Sequence, residues 1–356
     1  MPMSTRGATA AVLAAAALGL SACSVGGTTD SGSKPTKEVV VATHDSWAMS
    51  KDVLRQFTKE TGYHVTIESN GDAGQLTNKL VLTKGNPIAD MAYGVDNTFE
   101  SRAVQAGVFA PYAPDRQPGS VGRFEPQNAT EAKDLTPVDY GDVCVNVDDT
   151  WFAKHHLAEP KTLDDLTKPA YKDLLVTPGA ATSSTGLAFL LGTIGKYGET
   201  GWQGYWKKLM ANGAKVTAGW SDAYEVDFTA GGGNGDRPIV VSYASSPPFT
   251  IPKGGTKPTT SALLDTCFRQ VEYAGVLDGA KNPAGAKAFI DFMQQKAFQK
   301  ALPDNMYVYP VDTSVALPAT WAKFAAVAPH PFTVAPQQVS ANRSRWLRAW
   351  SDIATG

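Results

Sequence analysis

Four aromatic residues, Trp220, Tyr243, Phe249 and Tyr307, fall at predicted strand ends or in turns, off the apolar faces of the predicted helices. Aromatic faces attract organic cations by roughly 0.5 to 2 kcal/mol each. Carboxylates from Asp45, Asp72 or Asp222, close to the same strand ends, would complement such a charge. One ring alone reads as core; four rings with neighbouring acids read as a cage for a flat cation. In "GWSDAY" (219–224) Trp220 is then a wall, while Asp222 either touches the ligand or orients the turn. A weaker pattern is "PGAATSSTG" (178–186), where Thr182, Ser183 and Ser184 precede an apolar helix. Hydroxyls and free N–H groups at a helix start suit a phosphate or carboxylate, or simply cap the helix.

Other chemistries lack their motifs. The five histidines, His44, His64, His155, His156 and His330, form no HExxH pair and no Cys/His ligand set, so no metal site is expected. There is no GxSxG elbow and no GxxxxGK[ST] loop. A formal net charge of -2 argues against a nucleic-acid partner, whose phosphates would call for a basic face.

The elements that must hold these residues alternate. Residues 38–43 ("EVVVAT") read as a buried strand ending at His44. A helix over 51–60 follows, with Val53, Leu54 and Phe57 on one face and Gly62 as its stop. Strand 64–68, helix 75–82 and strand 89–95 complete a pattern that implies a parallel α/β sheet with helices on both faces. In such sheets ligands gather at the carboxyl ends of strands, where His44, Asp72 and Asp96 lie. Strand 139–147 opens a second α/β region with helices over 187–197 and around 202–210, and strands over 215–220 and 238–243. It ends with strand 268–276, a helix over 286–297 and a C-terminal helix over 343–353. Residues 230–237 ("AGGGNGDR") read as a surface insert with no assignable chemistry.

The first residues carry one Arg, an apolar run over 8–20 and then Leu20-Ser21-Ala22-Cys23. This predicts a signal peptide over 1–22 with a lipobox-like end, in which Cys23 is lipidated and becomes the new N-terminus. Residues 23–37, rich in Gly, Ser and Thr, read as a flexible tether. The leader contains Arg6 and no acid, so its removal moves the net charge from -2 to -3. No later stretch approaches 18 apolar residues, the length that suggests a spanning helix. About 320 residues remain from Glu38 onward, enough for two domains. They contain Cys144 and Cys267, for which an oxidising compartment favours a disulfide, with two buried thiols or one reactive thiol as the rivals.

Several segments together resemble the thiamine-binding, substrate-binding proteins of bacterial ABC importers. They are "THDSWA" (43–48), "ADMAYGVDN" (89–97), "PVDYG" (137–141), "TSSTGL" (182–187), "GWSDAY", "VVSYASSP" (240–247) and "MYVYPV" (306–311), in the family's order over nearly the whole mature chain. The resemblance implies a type II periplasmic-binding-protein fold, two α/β lobes joined by hinge strands with the ligand cleft between them. Residues 38–140 and 268–303 would form lobe 1, and 141–267 and 304–356 lobe 2. Trp220, Tyr243 and Phe249 would contact the rings of thiamine from the second lobe, with His44 facing them from the first. Asp72 with Ala73, and Thr182 with Ser183, would line the end that takes the hydroxyethyl or phosphate group. The family usually has Tyr where this chain has His44 and Phe249.

The implied function is a non-enzymatic, monomeric lipoprotein on the outer face of the cytoplasmic membrane. It needs no cofactor and delivers thiamine or a thiamine phosphate to ABC permease subunits. Two alternatives stand beside it. One is a type II receptor for ferric ion or a polyamine. The other is an enzyme resembling thiaminase I, with Cys144 as nucleophile and Asp222 or Asp142 as base.

Overall fold

A computed structural model describes residues 36–126 and 131–355. The predicted signal peptide, Cys23 and nearly all of the tether lie outside them.

The first third alternates as the periodicity requires: β1 (Glu38–Thr43), α1 (Lys51–Thr61), β2 (His64–Ser69), α2 (Ala73–Thr83), β3 (Met91–Asp96), α3 (Glu100–Gln105) and the short β4 (Phe109–Ala110). Ser50 caps α1 by accepting from the Val53 N–H, and Gly62 ends it in the left-handed conformation that only glycine adopts freely. After α4 (Glu131–Asp134) comes β5 (Thr136–Asp148), then α5 (Asp149–Lys154), β6 (Leu175–Pro178), α6 (Ser184–Ala211), β7 (Lys215–Thr217) and β8 (Ile239–Tyr243). β9 (Thr260–Leu277) is the longest strand. It is followed by α7 (Pro283–Met293), α8 (Lys296–Met306), β10 (Tyr309–Pro310), α9 (Ala319–Phe324) and α10 (Pro336–Thr355).

One mixed sheet carries the strands in the order β2-β1-β3-β9-β5-β8-β6-β7, with β10 beside β5 and β4 beside β9. The parallel sheet expected from the alternation holds only at the two flanks. β1 runs parallel to β2 and β3, and β6 runs parallel to β7 and β8. The centre is antiparallel: β9 pairs with β3 and with β5, and β5 with β8. Local periodicity marks a strand but carries no sign of its direction, which long-range pairing decides.

β5 and β9 serve both flanks. The end of β9 (Glu272 to Val276) pairs with β3, while the later half of β5 (Val143 to Val147) pairs with β8. The Sγ atoms of Cys144 and Cys267 form a disulfide between these two strands. Phe57 of α1, Phe289 and Phe292 of α7 and Phe298 of α8 form a fully buried aromatic cluster against one flank. Around the other, α6 and α10 pack together through the edge-to-face pair Trp206 and Trp350. α6 breaks at Gly198, and the stretch read as a single helix over 286–297 turns at Gln294 and Gln295 into α7 and α8. No helix among the described residues is long and apolar enough to cross a membrane.

Candidate functional site

The carboxyl ends of β1 and β2 at one flank, and of β6, β7 and β8 at the other, point into one cavity of about 210 Å³. Its walls are aromatic. Trp220 lies two residues before a wide helical turn over Asp222–Asp227, a geometry frequent at functional positions, and its ring is stacked on Tyr224 at 5.0 Å and 12°. The indole N–H donates to Ser242 Oγ at 2.9 Å, which fixes the plane of the ring. Tyr243 and Tyr307 stand 6.3 and 5.8 Å from it, centroid to centroid. The Tyr243 hydroxyl donates to Gln270 Oε1 at 3.0 Å. Tyr307 ends α8 in the left-handed conformation, and Phe249 packs on its far side at 3.6 Å. Trp47 also lines the cavity, its indole N–H without a hydrogen-bond partner among the described residues.

Asp72 joins the two sides. It is the N-cap of α2: its Oδ1 accepts from the N–H of Ala73 at 2.6 Å and of Ser184 at 3.2 Å, and Oδ2 accepts from Trp220 N–H at 2.9 Å. Burial raises the Asp72 pKa, and the Trp220 and Ala73 N–H bonds oppose that rise. Beside it, the N–H groups of Gly74 and Gln75 donate to the Thr182 carbonyl at 3.0 and 3.3 Å. A Cβ at Gly74 would lie 2.6 Å from that oxygen, so only glycine allows the approach.

The floor is acidic and almost dry. His44 Nε2 lies 3.3 Å from Glu272 Oε1, with both side chains under a tenth exposed. Glu272 Oε2 accepts from the Tyr93 hydroxyl at 3.3 Å, and that hydroxyl also bonds Asp139 Oδ2. Burial and then the charge of Glu272 raise Asp139 well above the usual carboxylate range. Burial works against ionising Glu272 too, but the charge and hydrogen bond of His44, together with hydrogen bonds from Asp139 and Tyr93, outweigh it and lower the Glu272 pKa. Burial likewise disfavours His44 as a cation. Glu272 first, with Asp72 and Asp45 behind it, overrides this and raises the His44 pKa. Gly94 makes room for the ring, since a Cβ there would lie 2.2 Å from His44 Cδ2.

Of the residues singled out in the sequence, His44, Asp45, Asp72, Trp220, Tyr243 and Tyr307 line the cavity together. Ala73, Thr182, Ser183 and Phe249 stand behind it. Ala73 spends its N–H on Asp72, Thr182 holds α2 through its carbonyl, and Ser183 caps α6 by accepting from Gly186 N–H at 3.3 Å. Ser184, singled out with them in "PGAATSSTG", and its neighbour Thr185 line the cavity. Glu225, not the exposed Asp222, faces the cavity. Glu272 escaped notice because it sits in a strand read as apolar. Its signal was a charged residue beside Gln270 in a run otherwise fit for burial, where a charge must find a partner.

A curled mixed sheet with two parallel flanks, antiparallel crossing strands and an aromatic and acidic cleft at the strand ends defines a type II periplasmic-binding-protein fold. The family described as bacterial extracellular solute-binding protein matches residues 86–247. The thiamine-binding periplasmic protein of Brucella melitensis is 31% identical over 326 residues, covering 88% of this chain and 91% of that one. Its counterpart in Salmonella typhimurium is 29% identical, covering 88% and 92%. Among solved structures, a periplasmic thiamin binding protein superposes with a TM-score of 0.77 at 27% identity, over 89% of this chain and 96% of that one. A ferric binding protein from Campylobacter jejuni shares the fold, with a TM-score of 0.68 at 17% identity over 88% and 99%. The chain belongs to the bacterial extracellular solute-binding proteins, in the family of the thiamine-binding periplasmic proteins.

Proposed function

We propose that this protein is an extracytoplasmic receptor that closes on thiamine and presents it to an ABC permease. The observation that carries the reading is the cleft itself: Trp220, Tyr243 and Tyr307 stand around a floor holding the ionised Glu272, in a chain 31% identical to a thiamine-binding periplasmic protein. Flat, positively charged rings fit between aromatic faces over a desolvated carboxylate, where each ring adds to the attraction.

Residues 38–140 with 268–303 form one lobe in this reading, and 141–267 with 304–356 the other. β5 and β9 change partners near these boundaries, which makes them the hinge. Asp72 and Gly74 lie in the first lobe, and Thr182, Ser184 and Trp220 in the second. The bonds among them are therefore contacts that closure makes and opening breaks. A ligand that adds contacts to both lobes shifts the population toward the closed form, and that form is what a permease would recognise. The leader and Cys23 fit a lipid anchor on the outer face of the cytoplasmic membrane, and the protein would act as a monomer without enzymatic chemistry. Cys144 serves as a disulfide partner instead of a free nucleophile.

Native mass spectrometry of the purified protein tests the proposal. A co-purified adduct of thiamine mass supports it, and an adduct of another mass, released by denaturation, would replace thiamine with that molecule.

A further inference from the structure

Resting on that reading, we infer that residues 231–235 are a positioning element of the cleft, a glycine strap that crosses the carbonyl end of the wide turn and holds Tyr224 and Glu225 in place on the wall. Gly231, Gly233 and Gly235 of "AGGGNGDR" lie against the turn Asp222–Asp227 at alternate positions, as an extended chain turns one side inward at every second residue. A Cβ on Gly233 would stand 2.6 Å from the Glu225 carbonyl oxygen and 3.0 Å from that of Val226. A Cβ on Gly231 would collide with the Tyr224 carbonyl, and one on Gly235 with that of Asp227. These are backbone atoms, which cannot swing aside as the end of a long side chain can. None of the three glycines is in the left-handed region, so it is space that excludes a side chain there. Gly232 is the opposite case, with a φ of 93° and no atom within 4 Å of its Cβ position.

The base of the strap is pinned. Arg237 N–H donates to the Asp227 carbonyl at 3.0 Å, and Thr229 N–H to the Arg237 carbonyl at 3.1 Å. The Arg237 guanidinium donates to the carbonyls of Asp173 and Gly213, and Phe228 is fully buried. The opposite side of the turn is the cleft: Tyr224 is stacked on Trp220, and Glu225 lines the cavity. A push on the carbonyl end therefore reaches the wall through the same residues. A methyl group on Gly233 forces a movement of about 0.4 Å before its nearest contact opens to 3.0 Å, close to the roughly 0.5 Å within which binding groups must be held.

Thiamine affinity, melting temperature and near-ultraviolet circular dichroism of the native protein, Gly232→Ala, Gly233→Ala and Gly235→Ala test the inference. Gly233→Ala and Gly235→Ala should weaken binding about 3- to 10-fold and alter the Trp band of the ligand-free protein, an alteration that disappears in a Trp220→Phe background. Gly232→Ala, strained but facing no neighbour, should lower the melting temperature and change affinity by less than about twofold. In a Glu225→Ala background Gly233→Ala should cost less affinity than in the native one; equal losses in both overturn the inference. So does an unchanged affinity and Trp band in Gly233→Ala and Gly235→Ala, or a loss in Gly232→Ala as large as theirs, and each of these leaves the receptor reading intact. If the native protein fails to bind thiamine, the receptor reading falls, and the Trp band alone decides whether the strap holds the wall.

Discussion

Replacing Glu272 by Gln removes the ionised carboxylate from the floor of the cleft while keeping its shape. A unit cation about 5 Å from that carboxylate gains about 3 kcal/mol at an effective dielectric near 20, a factor of roughly 100 in the dissociation constant before desolvation is subtracted. We expect a loss of about 10- to 100-fold at pH 8. The pH dependence is the sharper signature. In the native protein Glu272, backed by Asp72 and Asp45, holds the His44 pKa above 6.5 against burial. As pH falls through that raised value, His44 gains a proton, neutralises Glu272 and sets a like charge beside the ligand, so affinity should drop by up to tenfold per pH unit. In Glu272→Gln the factor that raises His44 is gone and burial remains, so the acid limb should move to lower pH and the profile flatten between pH 6 and 8. Titrations followed by Trp fluorescence from pH 5 to 8, with melting curves at each pH, measure both effects. A flat native profile, or a variant within twofold of native at pH 8, would refute the roles of His44 and Glu272.

Trp220 is 7% exposed and bonded to Ser242 and Asp72, so Trp220→Ala should cost about 3 to 5 kcal/mol of stability together with binding. Tyr307→Ala, at a half-buried wall, should weaken binding about 3- to 30-fold with a smaller fall in melting temperature; the reverse ranking would make Tyr307 packing alone. Thiol mapping of denatured, unreduced protein should find no free thiol at Cys144 or Cys267, and replacing both with Ser should cost about 2 to 5 kcal/mol. Burial raises the Asp96 pKa to about 7. The folded state therefore holds this proton where the unfolded chain has released it, and stability should fall as pH rises from about 4 to 7. Asp96→Asn should recover up to about 4 kcal/mol at pH 8, at about 1.4 kcal/mol per pKa unit; an unchanged denaturation midpoint at that pH would remove Asp96 as a source of the fall.

The flanking elements were legible because each is a local pattern. β1 begins and ends where "EVVVAT" does, Gly62 ends α1 through glycine chemistry, and a hydroxyl of "TSSTGL", Ser183, caps α6. Strand direction was not legible, because β5 and β9 find each other across more than a hundred residues. At the cleft, strand-end aromatics and acids could be picked out because carboxyl-end clustering is a property of the fold class. Of the hydroxyls in "TSSTGL", Ser184 and Thr185 line the cavity, while Ser183 accepts from Gly186 N–H as the cap of α6. Glu225 replaced Asp222 because the wide turn after Trp220 shifts which side chain points in. Phe249 sits behind Tyr307, a relation between β8 and α8 that no local pattern encodes.

The proposed receptor function requires a cleft that takes one flat organic cation. Calorimetric titration of the protein with thiamine at pH 7.5 addresses it most directly. The expected result is saturable binding of one molecule per chain, accompanied by quenching of Trp fluorescence. No heat and no fluorescence change, in protein shown to be folded and free of bound ligand, would contradict it.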